Sequence, residues 1–281
     1  MVIFKGIFHV HSNYSNDAKF SIDDIREKYK DYNFIIITDH LEHLSKEKYK
    51  KFIEECKNKS RKNQILIPSV EFYYLKKHII YIGNKPIDIN KVDYIINNKN
   101  RDYIIILAHA YKNNLIFKSL KKFPVLDKLD CIEIWNVHHN SKRLLPYRAL
   151  SLINFIKKQK KDIKFLGGLD LHRVFIKKVI EIYVNCNNLD NQSIINSIKK
   201  GRFYLKNDNI IIKSDGDVFY KNIRLNDNIL FKSIALILDI SSIIKFVLVY
   251  NIGSKLLNIF GVGKEYRVGV RDKIDSFFEK L

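Results

Sequence analysis

Cysteine is scarce in this chain of 281 residues. Three occur, Cys56, Cys131 and Cys186, and no two form a CxxC pair. An odd, widely spaced set excludes a disulfide frame and a thiolate metal site, and reads as buried thiols in a reducing compartment. Also missing is a basic N-terminal region followed by an apolar run. The chain opens directly on the strand-like Met1-Val2-Ile3-Phe4, so no signal peptide is expected. The most apolar stretch, 229–253, is broken by Lys232, Asp239 and Lys245, which argues against a membrane span. A cytoplasmic protein is the expectation. Acidic residues are few beside basic ones, 30 against 50, for a net charge of +20. Such a field draws anions: phosphorylated metabolites, nucleic acid or an acidic surface. The lysines are dispersed, and the densest run, Lys157-Lys158-Gln159-Lys160-Lys161, reads as the solvated end of a helix. An anionic small-molecule or nucleotide-like substrate is therefore expected ahead of a nucleic acid.

What the sequence does have is alternation. A hydrophobic content of 46% with 28% charged residues is ordinary for a globular chain, and the length suits one barrel plus an appendage. Over residues 1–204, apolar β-branched runs predict strands at Ile7–His11, Phe34–Thr38, Ile65–Phe72, His78–Ile82, Ile104–Ala108, Cys131–Trp135, Ile163–Leu169 and Ile180–Asn185. Between them lie predicted helices. One starts at the N-cap Ser21, with Asp24 in the capping-box position, and runs to Tyr32; another runs from Ser45 to about Lys62. Further helices are predicted at Leu115–Phe123, at Arg143–Lys161 with Pro146 in its first turns, and at Ser193–Lys200 closed by Gly201. Apolar strands separated by amphipathic helices predict a parallel sheet covered on both faces, and about seven of them suit a barrel. Beyond Tyr204 the texture turns to β-rich segments and polar turns. Residues 205–281 are therefore expected to form a small β-strand-rich C-terminal extension to a 1–204 barrel.

The histidines carry the functional signal. His9, His11, His40, His109 and His172 each fall at or just past the end of an apolar run, and His78 opens one. In a parallel barrel the strand C-termini share one face, and that face carries the chemistry. His9 and His11, spaced i and i+2, would point to one side of a strand; Asp170 and His172 repeat the spacing, and Glu71 closes the third strand. Imidazoles and carboxylates together suit zinc, manganese or iron, and a carboxylate can bridge two ions. No serine or cysteine is placed to act as a nucleophile. Less decided are His138, His139 and Glu133, which line a pocket mouth or serve structure, and Lys112 and Arg173, which follow two histidine-bearing strand ends and could meet a phosphate.

These residues resemble, in order, the motifs of the PHP (polymerase and histidinol phosphatase) superfamily of metal-dependent phosphoesterases. His9-Val10-His11-Ser12 resembles the first motif, Thr38-Asp39-His40 the second, and Glu71 followed by His78 the glutamate-to-histidine step. Ala108-His109 and Asp170-Leu171-His172 resemble the third and fourth. The resemblance implies an α/β fold, a distorted (β/α)7 TIM-like barrel, with two or three divalent transition-metal ions. It implies that His9, His11, Glu71 and Asp170 hold one ion, that Glu71, His78 and His109 hold a second, and that His40, His172 and a residue near 16–17 hold a third. Asp39 would orient an imidazole. The family pattern Ser-Asp-Gly reads Ser15-Asn16-Asp17 here; Asp17 is the expected ligand. Ala110 stands where proline is common, and Leu169 and Leu171 replace small residues.

The expected function is hydrolysis of a phosphate ester by a metal-bound hydroxide, with Asp39, His40 and His172 in catalytic roles. The alternatives are an amide, carbamate or aryl-ester hydrolase on the same centre, an oligonucleotide-end nuclease, and a non-catalytic binding module.

Overall fold

The computed structural model describes residues 1–83, 85–98, 102–110, 120, 123–138, 147–159, 162–176, 179–221 and 223–225. Lys112, His139, Pro146, most of the expected helix at 115–123 and the expected strands beyond 225 lie outside these. The chain divides into two compact units, Met1–Lys232 and Ser233–Leu281, and the described residues all lie in the first.

Isoleucine-rich runs form the strands because β-branched side chains suit a pleated, buried surface. They are β1 (Val2–Val10), β2 (Phe34–His40), β3 (Ile65–Tyr74), β4 (Lys77–Ile82), β5 (Ile104–Leu107), β6 (Cys131–Asn136) and β7 (Lys164–Gly168). After them come β8 (Glu181–Cys186), β9 (Phe203–Asn207), β10 (Ile210–Lys213), β11 (Val218–Tyr220) and β12 (Ile223–Arg224). The helices are α1 (Ile22–Lys28), α2 (Lys46–Lys59), α3 (Val92–Asn97), α4 (Tyr147–Gln159) and α5 (Asn191–Lys199). At α1 both halves of the capping box form: Asp24 N–H donates to Ser21 Oγ and Ser21 N–H to Asp24 Oδ2. The helix stops at Lys28, short of the expected Tyr32. Ser45 caps α2 as expected. Gly201 closes the turn after α5 with φ +69°, the left-handed conformation a glycine tolerates.

The strands make one sheet in the order β12-β11-β10-β9-β8-β1-β2-β3-β4-β5-β6-β7. It is curled and mixed, which corrects the expectation of a parallel sheet. β1–β2–β3 and β5–β6–β7 run parallel, whereas β4 is antiparallel to both its neighbours. The reason is local: only Leu75 and Lys76 separate β3 from β4, both with positive φ, and so short a link can only reverse the chain. β8 pairs antiparallel with β1 and carries the antiparallel meander β9–β12 away from the barrel-like part. Its burial alternates along the strand, the mark of a sheet with one covered face.

The chain after β7 does not leave the sheet. Leu169 N–H donates to Phe8 O and Asp170 N–H to His9 O, while His11 N–H donates to Leu171 O. The end of β1 is thus held between β2 and the β7 extension, and Ile35–Ile37, Ile104–Ile106 and Trp135 pack in the fully buried core around it. Burying each such side chain contributes about 1.5–3 kcal/mol, a rigid floor for the polar groups above. Among the described residues no helix is long and apolar enough to cross a membrane.

Candidate metal centre

The donors gather where β1, β2, β5 and the β7 extension end. They are joined by His78 at the start of β4 and by Glu71, which lies within β3 because that strand runs on to Tyr74 rather than closing at Glu71 as expected. Simple strand alternation does not bring His9 there. The β1–β2 register slips between Phe8 and Val10, so His9 is the extra residue of a bulge, with φ 64°. Bulges re-aim a side chain at such positions. His109 and Asp170 also carry positive φ, 28° and 54°. Three non-glycine residues in this region, at one site, are a store of backbone strain of about 1–3 kcal/mol each, a pattern that marks functional sites.

Two groups of side chains each bring their donor atoms within 4.8 Å of one another: His9, Glu71, His109 and Asp170, all buried, and His11, His40 and His172. Within and between them the contacts resolve into three knots. His9 Nε2 stands 3.5 Å from Glu71 Oε2 and 3.5 Å from Asp170 Oδ1; His11 Nε2 stands 3.5 Å and 3.3 Å from the same two atoms. Glu71 Oε1 faces His78 Nδ1 at 2.9 Å and His109 Nε2 at 3.0 Å. Asp17 Oδ2 faces His40 Nε2 at 3.4 Å and His172 Nε2 at 3.2 Å. His40 Nδ1 also reaches toward Glu71 Oε2, at 3.6 Å.

Most of these separations are too long for hydrogen bonds, which run at about 2.7–3.2 Å. Donors bound about 2.1 Å from one tetrahedral ion stand about 3.4 Å from each other. Among the described residues, His9 Nε2, both nitrogens of His11 and Asp17 Oδ1 are buried with no hydrogen-bond partner. Buried polar atoms left this way need an occupant, and imidazole lone pairs beside carboxylates ask for a cation. Charge points the same way, since Glu71, Asp170 and Glu133 are all buried, and buried carboxylates are costly unless paired or bound to a metal. The residues fit divalent ions.

The electrostatics are polarised. Burial works against ionising Glu71, but His9, His109 and His78 outweigh it and hold its carboxyl well below the ordinary value. Burial also opposes charge on His9, yet the carboxylates of Glu133, Asp170 and Glu71 hold it well above its ordinary value. For His11, burial, followed by His172 and His9, pushes the ring down to about 3. Asp39 is raised to about 6 by burial, with Ser12 and Ser15 pulling back.

Other expected residues take different places. Asp39 accepts hydrogen bonds from the N–H and hydroxyl of Ser12 at 2.9 and 2.6 Å and from those of Ser15 at 3.2 and 2.6 Å. It staples the loop that carries Asp17, whereas the expectation was an imidazole partner. Asn16 offers its backbone N–H to His43 Nδ1 at 3.3 Å. Arg173 is exposed, and its Nε–H donates to Asp17 O at 3.1 Å. The His138 ring lies 5.8 Å from that of His172. Ser12, Ser15 and His43 drew no functional weight of their own from the sequence. Only the Ser-rich stretch after His11 hinted at the two serines, and nothing singled out His43.

Residues 8–213 match the PHP domain family. No curated protein matches the chain. Among solved structures the chain is similar to a two-domain protein containing a predicted PHP-like metal-dependent phosphoesterase from Bacteroides vulgatus. They share 16% identity and a TM-score of 0.52 over 75% of this chain and 66% of that one. The chain thus spans just under two thirds of that protein, and at this identity the likeness speaks for the fold. A protein from Bifidobacterium adolescentis, inferred to be a metal-dependent phosphoesterase, is 12% identical with a TM-score of 0.41, over 59% of this chain and 87% of that one.

Proposed function

This chain belongs to the PHP domain family, and on that premise we propose that it is a metal-dependent phosphoesterase acting on a small anionic or nucleotide-like ester. One observation carries the reading: imidazole and carboxylate donors converge at 3.3–3.6 Å with buried nitrogens lacking partners. In this proposal His9, His11, Glu71 and Asp170 hold one ion, and Glu71, His78 and His109 a second. His40, His172 and Asp17 hold a third. The ions are zinc, manganese or iron. When bound, they supply Lewis acidity that neutralises charge on the phosphoryl oxygens and eases loss of a proton from water near neutral pH.

The protein's own groups do the rest. Glu71 spans two knots and so fixes their separation. His40 and His172, half-open, flank the entrance and orient the ester. Asp39 acts at one remove, through Ser12 and Ser15, by fixing the loop that presents Asp17. Arg173, exposed at the rim, meets a phosphate with guanidinium N–H groups beyond the one given to Asp17. The chain's net charge of +20 favours an anionic substrate. Three buried cysteine thiols support a reducing compartment, the cytoplasm. The finer architecture, a distorted (β/α)7 barrel over 1–204 with a β-strand-rich extension over 205–281, belongs to the same proposal. Its support is the hydrogen bonding of the β7 extension onto β1.

The test is metal content and hydrolysis together. Protein purified without chelators should carry two or three transition-metal equivalents, and a His9→Ala/His11→Ala double variant far fewer. The loaded protein should cleave simple phosphoesters faster than neutral aryl esters. No phosphoester hydrolysis with any of manganese, zinc or iron overturns the reading.

A further inference from the structure

We infer that Glu133 is a positioning residue of this centre: it fixes which ring nitrogen of His9 is left to face the ions, and it anchors the backbone of His109. The inference rests on the metal-centre reading of the proposed function. Glu133 lies in β6 and is fully buried. Its Oε1 stands 3.0 Å from His9 Nδ1, at hydrogen-bond distance. Its Oε2 accepts from the backbone N–H of His109 at 2.7 Å and from Asn136 Nδ2 at 3.1 Å. Oε2 already takes two N–H donors, so the contact of Oε1 with His9 Nδ1 sets the Nδ1 proton of His9 on the Glu133 side. His9 Nε2 is then turned toward Glu71 and Asp170, 3.5 Å from each. A hydrogen bond to one ring nitrogen decides which nitrogen is free for a metal.

The surroundings are built for this contact. His9 and His109 both hold left-handed backbone conformations, and Glu133 grips one by its ring and the other by its amide. A Cβ at Gly168 would stand 2.1 Å from Glu133 Oε1 and 2.7 Å from His9 Cβ, so only glycine leaves room for the pair. The β6–β7 register slips just after Glu133, which re-aims the strand at this point. Glutamine cannot replace the carboxylate. Its single oxygen cannot serve both His9 and His109, and its NH2 group would oppose one of their N–H donors.

The test uses the full chain loaded with zinc. In the wild type, ring nitrogen NMR should show His9 protonated on Nδ1, with a slowly exchanging proton and Nε2 ligated; the resonance is identified by its loss in His9→Gln. In Glu133→Gln that protected proton should disappear, and zinc affinity, measured by competition with a chelator, should fall about 10–100-fold. A merely structural Glu133 would lower thermal stability and leave the His9 proton and the affinity of the folded protein alone. That result overturns the inference, as does a wild-type His9 protonated on Nε2. The wild-type measurement stands even if the variant does not fold. Failure of the metal-centre reading looks different: the wild type itself would then bind neither zinc nor manganese.

Discussion

Around Glu71 most donors are sealed: His9, Glu71, His109 and Asp170 are at most 7% exposed, and His78 alone of that group opens outward, its side chain 34% exposed. Around Asp17 they are half open: the side chains of His40, His172 and Asp17 are 15%, 19% and 44% exposed. The two neighbourhoods also stand on different foundations. The inner donors sit at strand ends, on strained backbone tied to β6 through Glu133. The outer set depends on the loop bearing Asp17, which Asp39 staples through two serines. An ion in the inner position is enclosed by protein, whereas one in the outer position shares its surroundings with water. Under the proposed function the first position would retain its ion and the second would exchange with substrate.

The contrast breaks most decisively at Glu71, which touches both sides. Glu71→Gln should remove at least one metal equivalent and lower phosphoester turnover about 1000-fold, some 4 kcal/mol of transition-state stabilisation. Elemental analysis and steady-state kinetics on one preparation check it; full metal content with near-normal turnover would refute the bridging role. Next in size is metal removal. An ion present at about 1000 times its Kd stabilises by about 4 kcal/mol, so stripping the inner site should lower Tm by roughly 10 °C. Calorimetry with and without a strong chelator measures the shift. A third change separates the neighbourhoods: Asp17→Asn should weaken only the outermost ion, about tenfold, with activity restored by raising free metal. If the inner equivalents are lost as well, the two are not independent.

Much of this was legible in the sequence, and the failures are instructive. The donor residues stand out because imidazoles and carboxylates at the ends of isoleucine runs have no ordinary packing role. The capping box at Ser21 and Asp24 could be read directly. The i, i+2 argument for His9 and His11 predicted their convergence for the wrong reason, since His9 reaches the site from a bulge. Its positive φ is imposed by the fold, as are those of His109 and Asp170, and no local propensity announces them. The resemblance implied that Asp39 orients an imidazole, but its carboxylate takes the N–H and hydroxyl groups of Ser12 and Ser15, because on a strand its side chain points to the face opposite that of His40. The antiparallel β4 was within reach, because the few residues, 73–77, left between the expected strands Ile65–Phe72 and His78–Ile82 are too short a link for a parallel crossover.

The smallest effect comes from a change outside both neighbourhoods, and it serves as the control. Asp217, beside β11, pairs with Lys157 of α4 and Arg224 of β12, each at 3.0 Å. Burial raises its pKa, but hydrogen bonds from Lys157 and Arg224 more than offset this and hold it below the ordinary value. A depressed carboxylate contributes stability above its unfolded value of about 3.9 and loses it as pH falls through the folded one. Asp217→Asn should therefore lower Tm by about 2 °C at pH 7, in keeping with a surface pair of under about 1 kcal/mol. The gap to wild type should narrow below about pH 4 and close at lower pH. Metal content and turnover should not move. If they do, the meander beyond β8 is coupled to the metal centre, and the contrast between a sealed and an open neighbourhood would have to include a third, distant element.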